Sequence, residues 1–309
     1  MVNENALRLL DRLKQASGPV SGTALARELG ISRVALWKRF ESLRASGYPV
    51  VAGHAGYQLG PGDKPLPWEF PGDEGRVFHF DTLGSTMDEA RDRGLAGLTE
   101  GAVVAEHQSA GRGRADRSWA SAGGDLLVTL ILRPRLPTTF AGALGLEALA
   151  ALVETLANLY ALDLTLKWPN DVMAGDQKVA GVLVEAWGSV EAPQFYTVGL
   201  GLNVHGLPAL ARPVASVESL VQGSADRRAI LAQWWSRLRR WSQAPDLDPG
   251  RWKTWAGPQP RLRVETFDGR TVSGPFQGFD RTGSLLLGPA DSPIPIRYGE
   301  GHRTSGVSP

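Results

Sequence analysis

The chain has 309 residues, of which 42% are hydrophobic and 21% charged, with a formal net charge of +1. Such a length suits two or three domains, and the balance excludes a disordered chain or one that binds polyanions over its whole surface. It holds no cysteine, which excludes disulfides and thiolate zinc sites and fits a reducing cytoplasm.

Five histidines, at 54, 79, 107, 205 and 302, are dispersed along the chain, so no structural metal is expected. Residues 1–10 lack the apolar core of a signal segment, and no apolar run approaches ~18 residues, so no membrane span is expected.

Residues 1–60 carry eight Lys/Arg and four Asp/Glu, a local charge of +4. The apolar spacing predicts three short helices. The first runs over about 4–16, with Leu7, Leu10 and Leu13 in phase; the second covers about 22–29 and is capped by Ser21. After a turn at Gly30, Ser32 caps a third helix that turns Leu36, Phe40 and Leu43 inward. Two short helices about a glycine turn match a helix-turn-helix. The following PVVAGHAGYQL (49–59) reads as a hairpin, which makes residues 1–65 a winged helix-turn-helix. Ser32, Arg33, Trp37 and Lys38, with Arg44, stand on the outer face of the third helix as candidate DNA-binding residues. A solvated basic helix would share the charge; turn spacing and charge asymmetry together carry the DNA reading. Four prolines in 60–73 mark a linker.

Over 75–255 helices and strands alternate irregularly. Strands are predicted at 76–80, 101–108, 125–132, 164–173, 178–187 and 195–204. Helices are predicted from Ser85, with Asp88 completing a capping box, over 140–160, and near 226–242. Strands in immediate succession require hairpins, so the sheet is mixed or largely antiparallel.

Four segments of this region have unusual chemistry. GRGRADRSW (111–119) is neither a dinucleotide fingerprint nor a Walker loop, because Asp116 replaces the third glycine and no Gly-Lys-Ser/Thr follows. Gly111 and Gly113 permit close backbone approach, and the planar forks of Arg112 and Arg114 match carboxylate or phosphate oxygens, though a solvated loop would look the same. KWPNDV (167–172) interrupts a strand with Pro169 and sets Asn170 and Asp171 at its edge, suited to an adenine edge or a metal-bound phosphate. Lys178 heads the apolar strand KVAGVLVE and either snorkels to solvent or points into a cleft. GLGLNV (199–204) alternates glycines along one face, leaving room for a ligand or a close backbone, with Asn203 behind.

In this order the segments resemble the biotin–protein ligases: Ser85-Thr86, Gln108, Gly111–Arg114, Lys167–Asp171, Lys178–Gly181 and Gly199–Asn203. With the winged helix, the resemblance is to the bifunctional ligase and biotin-operon repressor and covers about residues 5–306. A lipoate ligase would be expected to lack the Gly-Arg-Gly-Arg loop. The resemblance implies an α+β fold, with a winged helix-turn-helix, a class II synthetase-like mixed sheet with helices, and an SH3-like β-barrel at 260–309. It implies that Ser85, Thr86, Met87 and Gln108 bind the ureido ring of biotin, and that Arg112, Gly113 and Arg114 hold the carboxylate and adenylate phosphate. It sets Trp119 on adenine, Lys178 at the oxygens of the forming anhydride, and Gly111, Asn170, Asp171 and Asn203 near the nucleotide. Arg114 and Lys178 are the implied catalytic residues. ATP, biotin and Mg2+ are the implied small molecules. The implied partners are the biotin carboxyl carrier protein and operator DNA, with a homodimer allowed. Ala115-Asp116-Arg117 departs from the family's Arg-Gly-Arg at the tail of the loop.

RLRVETFDGRTVSGPFQGFDRTGSLLLG (261–288) alternates short strands with turns at Asp268-Gly269, Ser273-Gly274 and Thr282-Gly283, as an all-β piece that needs packing against the main domain. Two alternatives stay open at this level: a biotin-sensing repressor without catalysis, and a ligase for another acyl group such as lipoate.

Overall fold

The computed structural model describes residues 4–114, 117–121, 123–207, 213–258, 261–266 and 269–303. The chain divides into two compact units, Met1–Gly75 and Arg76–Pro309.

The first unit contains α1 (Glu4–Lys14), α2 (Gly22–Glu28) and α3 (Arg33–Ala45), then β1 (Val50–Gly53) and β2 (Gly56–Leu59). Leu9, Leu10, Leu13, Leu25, Leu36, Phe40 and Leu43 form its core; Leu7 is only partly buried. Ser32 Oγ accepts the Ala35 amide at 3.1 Å and so starts α3. Ser21 stands at the N-cap of α2 without a side-chain capping bond, unlike the sequence expectation. β1 and β2 pair antiparallel as the wing, and Tyr57 of β2 stacks on Phe40 at 3.9 Å between ring centres. Gly56 is required there: at its φ of +133°, a Cβ would lie 2.2 Å from the Val20 carbonyl oxygen. Ser32, Arg33, Trp37 and Lys38 are all exposed on α3. Arg44 is not free on that face, because its Nε donates to the Val50 carbonyl at 2.9 Å. The proline-rich segment belongs to this core too: Leu66 and Trp68 are buried in it, and Lys14 pairs with Glu69 at 2.9 Å.

The second unit is built on a seven-stranded sheet. In chain order its strands are β3 (Val77–Leu83), β4 (Gly101–Gln108), β5 (Leu126–Leu132), β6 (Thr165–Lys167), β7 (Asp171–Ala174), β8 (Gln177–Gly188) and β9 (Pro193–Leu202). Their spatial order is β3-β4-β5-β9-β8-β7-β6, parallel only between β3 and β4. The sheet is thus mixed and largely antiparallel, as the close succession of strands requires. Every residue of β5 is buried, which explains its unbroken apolar run. Residues 164–173 form two strands rather than one. Pro169, after a cis peptide bond, turns β6 back on β7, so that Lys167 pairs with Asp171.

One sheet face carries α4 (Thr86–Leu95), which packs on β4, β5 and β9. Elsewhere α5 (Ala141–Tyr160) packs against β8 and α7 (Arg227–Gln243), and α8 (Pro249–Ala256) packs against α5. The stretch Thr138–Tyr160 is long and apolar enough to cross a membrane, contrary to the sequence reading that no run approaches that length; 67% of its apolar 18-residue window is buried inside the fold. Small alanines on several faces let it lie between sheet and helices. Glu147, buried on α5, accepts Arg251 of α8 at 2.6 and 2.7 Å. α8 and the short α6 (Val217–Val221) were not anticipated from sequence.

The C-terminal strands are β10 (Leu262–Glu265), β11 (Thr271–Gly274), β12 (Phe276–Phe279), β13 (Leu285–Leu287), β14 (Ile294–Ile296) and β15 (Glu300–Arg303). They form two three-stranded antiparallel sheets, β11-β10-β15 and β12-β13-β14, consistent with the expected SH3-like fold. Of the predicted turns, Asp268 lies outside the described residues. The small sheets dock on α8 and the β6–β7 turn: Trp168 Nε1 donates to the Gly283 carbonyl at 3.3 Å, and Lys253 Nζ on α8 to that of Gln277 at 3.0 Å.

A buried ionic group ties α7 to the sheet. Glu106 on β4 accepts Arg227 at 2.9 Å and lies 2.8 Å from His79 Nε2 on β3. Burial alone would raise the Glu106 carboxyl, but the His79 hydrogen bond and the Arg227 charge hold it down to about 2, against an ordinary 4.5. Its pairing therefore stabilises the fold above about pH 4.5 and is lost as pH falls towards 2. Arg227→Ala leaves this carboxylate buried without its cation and should cost about 3–5 kcal/mol in denaturant titrations at pH 7. In Glu106→Gln the extra loss of stability between pH 4.5 and 2 should flatten; an acid limb as steep as that of the parent chain would remove Glu106 from this role.

Candidate active site

Three glycines open a floor on the sheet face that bears α4. A Cβ on Gly199 would lie 2.6 Å from Met87 Sδ, one on Gly201 2.4 Å from the Trp119 ring, and one on Gly181 3.0 Å from the same indole. β8 and β9 pair Gly181 with Gly201, so two bare positions lie side by side. The alternation seen in the sequence therefore creates room, which the Trp119 ring occupies in this structure.

The start of α4 forms one wall. Ser85 is extended at φ −152° and its Oγ accepts the Met87 amide at 3.2 Å, so the helix begins beside the floor. The predicted capping box is not made: Ser85 caps the Met87 amide, and the Asp88 carboxylate accepts Arg91 and Arg112 instead. Charge-assisted bonds to two guanidinium groups outcompete a neutral amide. Gln108 Oε1 accepts both the Thr86 amide, at 2.7 Å, and the Thr86 hydroxyl, at 3.0 Å; Thr129 Oγ1 donates to that hydroxyl at 2.9 Å. A row of polar groups is thereby fixed in place at the buried end of the cleft.

The arginine loop forms the opposite wall. Trp119 N donates to Gly111 O at 2.9 Å and Gly113 N to Arg117 O at 2.6 Å, closing the loop on itself. Ala115 and Asp116, where the sequence departs from the family pattern, lie outside the described residues. Arg112 donates to Asp88 at 2.9 Å and also to Glu185 on β8. Arg114 is half-buried beside Asp171, and burial lowers its guanidinium below the ordinary value against the pull of that carboxylate. Lys178 is buried, with Nζ 2.5 Å from Asp171 Oδ1 and 5.2 Å from the Trp119 ring centre. It therefore points into the cleft rather than snorkelling to solvent. Asn170 Nδ2 donates to the Val182 carbonyl at 3.2 Å, which secures the β6–β7 turn to β8.

These elements enclose a cleft of about 790 Å³ that includes Ser85, Thr86, Met87, Gln108, Arg112–Arg114, Trp119, Asn170, Asp171 and Lys178. Gly111 lines a neighbouring cavity on the outer side of the loop. Asn203 is set apart. It is buried behind the floor, and its Nδ2 donates to the carbonyls of Lys178 at 3.4 Å and Ala215 at 3.1 Å, holding the backbone that carries Lys178. Lys167 and Arg117 line the cleft without having been assigned a role from sequence, and Asp88 and Glu185 were missed as partners of Arg112. Strand alternation was the available signal for Glu185, because it puts residues 181, 183 and 185 on one face. Among the described residues the lining cations are Arg112, Arg114, Arg117, Lys167 and Lys178, and the lining carboxylate is Asp171, so the cleft suits an anion. No group of three or more His, Asp or Glu side chains among the described residues could hold a metal ion.

Residues 80–203 match the Biotin/lipoate A/B protein ligase family, and residues 5–58 match an HTH domain. The chain is 32% identical over 304 residues to the bifunctional ligase/repressor BirA of Bacillus subtilis (strain 168), covering 90% of this chain and 92% of that protein. It is 35% identical over 208 residues to a biotin--[acetyl-CoA-carboxylase] ligase of Paracoccus denitrificans, covering 61% of this chain and 84% of that one. Among solved structures, the biotin protein ligase from Aquifex aeolicus in complex with biotin and ATP aligns with a TM-score of 0.62 at 23% identity, over 74% of this chain and 97% of that one. At that identity the likeness carries the fold.

Contact between Trp119 and the glycine floor holds the loop down, so Gly201→Val should lift it. Trypsin should then cut after Arg112, Arg114 or Arg117 about tenfold faster, the factor that about 1.4 kcal/mol of lost closure gives. Unchanged cleavage would mean that the indole does not anchor the loop.

Proposed function

The chain belongs to the biotin–protein ligase family, with the helix-turn-helix of the bifunctional ligase/repressors, and on that premise we propose that it activates biotin with ATP and transfers it to a lysine of an acceptor protein. The observation that carries this reading is the cationic cleft. Its glycine floor, arginine loop, Lys178 and Ser85–Met87 wall come from segments far apart in the chain.

In the first step the biotin carboxylate attacks the α-phosphorus of ATP and pyrophosphate leaves. In the second, the lysine amine attacks the biotinyl-adenylate and AMP leaves. Neither step needs a protein nucleophile; alignment and stabilisation of developing negative charge suffice. Ser85, Thr86 and Gln108, with the backbone of Met87, receive the ureido ring, supported by the polar row at the buried end of the cleft. Arg112, Gly113 and Arg114 take the carboxylate and phosphate, and Lys178 the anhydride oxygens. Trp119 covers the adenine after leaving the glycine floor, and Asn170 borders the nucleotide. Asn203 acts from beneath, by fixing the backbone of Lys178.

Magnesium enters with the phosphates of ATP. Mg2+ commonly binds one or two carboxylates besides phosphate oxygens and water, and Asp171 is the carboxylate that would hold it. Bound there, it would supply charge neutralisation on the phosphates. The acceptor is a biotin carboxyl carrier protein. In the first unit, α3 presents Ser32, Arg33, Trp37 and Lys38 to operator DNA, with Trp37 53% exposed and Val34 66% exposed beside it. The protein acts as a repressor on this reading, in the cytoplasm where ATP and DNA are found. Ligand binding orders the 111–119 loop, and Ala115-Asp116 alters how that loop is linked to a homodimer.

Incubation with biotin, ATP and a carrier domain should label the carrier; bound biotin with no label would leave a sensor without catalysis, and labelling by lipoate alone would reassign the substrate. Arg114→Gly should keep the fold and release biotinyl-adenylate into solution faster, by about tenfold or more for a lost charge-assisted bond of about 1.5–3 kcal/mol. An unchanged release rate removes Arg114 from the site. DNA affinity should fall steeply with salt, and replacing Lys38 by Ala should reduce the slope of log K against log [salt] by about 1; a salt-independent affinity would exclude the helix-turn-helix as the DNA contact.

A further inference from the structure

The outer side of the arginine loop borders a second cavity of about 610 Å³, lined in part by Gly111, Arg114, Leu183, Glu185 and Tyr298. It shares Arg112, Gly113 and Arg114 with the ligand cleft, so the loop is the wall between the two. Glu185 lies on this boundary. Its Oε1 accepts Arg112, while its Oε2 is buried and has no hydrogen-bond partner among the described residues. A buried carboxylate oxygen without a donor is costly and calls for a ligand or a catalytic role.

We propose that this cavity admits the acceptor lysine, and that Glu185 binds its ammonium and takes its proton before it attacks the adenylate. This rests on the ligase reading above. The chemistry requires such a base. A free lysine titrates near pH ~10.4, so at neutral pH it arrives protonated and carries no lone pair for attack. Of the carboxylates at hand, Asp88 is more exposed and accepts Arg91 and Arg112 through Oδ1, and Asp171 Oδ1 is held 2.5 Å from Lys178 Nζ. Glu185 keeps a buried second oxygen, Oε2, beside the cavity with no hydrogen-bond partner among the described residues. An ammonium brings three donors, which satisfies that oxygen.

The groups that face Glu185 are Arg112 from the loop and Asp88 and Arg91 from α4, with Arg114, Arg117 and Tyr298 around the cavity. Burial pushes its carboxyl above the ordinary value; Arg112 and Arg91 oppose this and Asp88 adds to it. A carboxylate raised in this way is a better base. Arg112 also supplies the timing. An adenylate phosphate in the cleft competes for its guanidinium, so Glu185 is released when there is an anhydride to attack. Tyr298, 66% exposed on the C-terminal barrel, offers an aromatic face to the aliphatic stem and ammonium of the incoming lysine.

The step balances as follows. The ammonium gives one proton to the Glu185 carboxylate, and the neutral amine forms a C–N bond to the biotinyl carbonyl carbon. As the tetrahedral intermediate collapses, the bond between that carbon and the phosphate oxygen breaks. AMP leaves with the electron pair, and the nitrogen loses its second proton to phosphate or water.

The test uses the full-length chain carrying preformed, bound biotinyl-adenylate, in single turnover. One arm offers a carrier domain, and the other offers hydroxylamine, an amine already neutral at pH 7. In Glu185→Gln the ratio of lysine transfer to hydroxylamine transfer should fall by about 100-fold, the lower end of what a general base contributes. Hydroxylamine transfer also shows that the variant is folded and loaded. If the two rates fall together, or neither falls, Glu185 is not the base and the proposal is overturned. A parent chain that forms no adenylate from biotin and ATP is a different result, and it overturns the ligase reading first.

Discussion

The site depends on keeping several cations close together in a cleft before any anion arrives. The structure does so by giving the inner cations carboxylates to lean on. Lys178 rests on Asp171, Arg114 lies in the field of the same carboxylate, and Arg112 bridges Asp88 and Glu185. Like charges so held do not drive the loop apart. On the proposed reading, an incoming carboxylate or phosphate would exchange one anionic partner for another, with little new charge to bury.

That arrangement is precise because its supports are rigid. Lys178 is carried on β8, with its carbonyl held by Ala215 and Asn203. The Asn170 turn is tied to β8, and Trp168 fastens the same turn to the C-terminal barrel. α5 packs behind β8 and α7 on α5, while Arg227 at the start of α7 reaches Glu106 on β4. Among the described residues, the arginine loop is secured by its own backbone hydrogen bonds, by Arg112 on Asp88 and Glu185, and by the Trp119 indole on bare backbone.

Much of the fold was legible from the chain alone. Apolar periodicity marked α3, α5, α7 and most sheet strands, because each buries a regular face. The glycines of GLGLNV and the arginines of GRGR were legible as a bare sheet face and a cationic loop, and both lie at one cleft. Other features were not legible because they depend on competition between distant groups. Asp88 reads as a capping residue until Arg112, 24 positions away, claims its carboxylate. Asn203 reads as a ligand residue until Lys178 and Ala215 are found to share its amide. Pro169 reads as a break in one strand until β6 and β7 are seen paired around it. α8 is short, and its place is set by Glu147 and Arg251.

By itself, then, the sequence determined the family, the winged helix, the mixed sheet and the identity of the cations, since these are written in local spacing and residue type. Tertiary structure decided which carboxylate faces which cation, where Trp119 rests, and that Glu185 has an oxygen left over beside a second cavity. Pairing of charges across strands and loops is a property of three-dimensional proximity, and a one-dimensional pattern does not encode it.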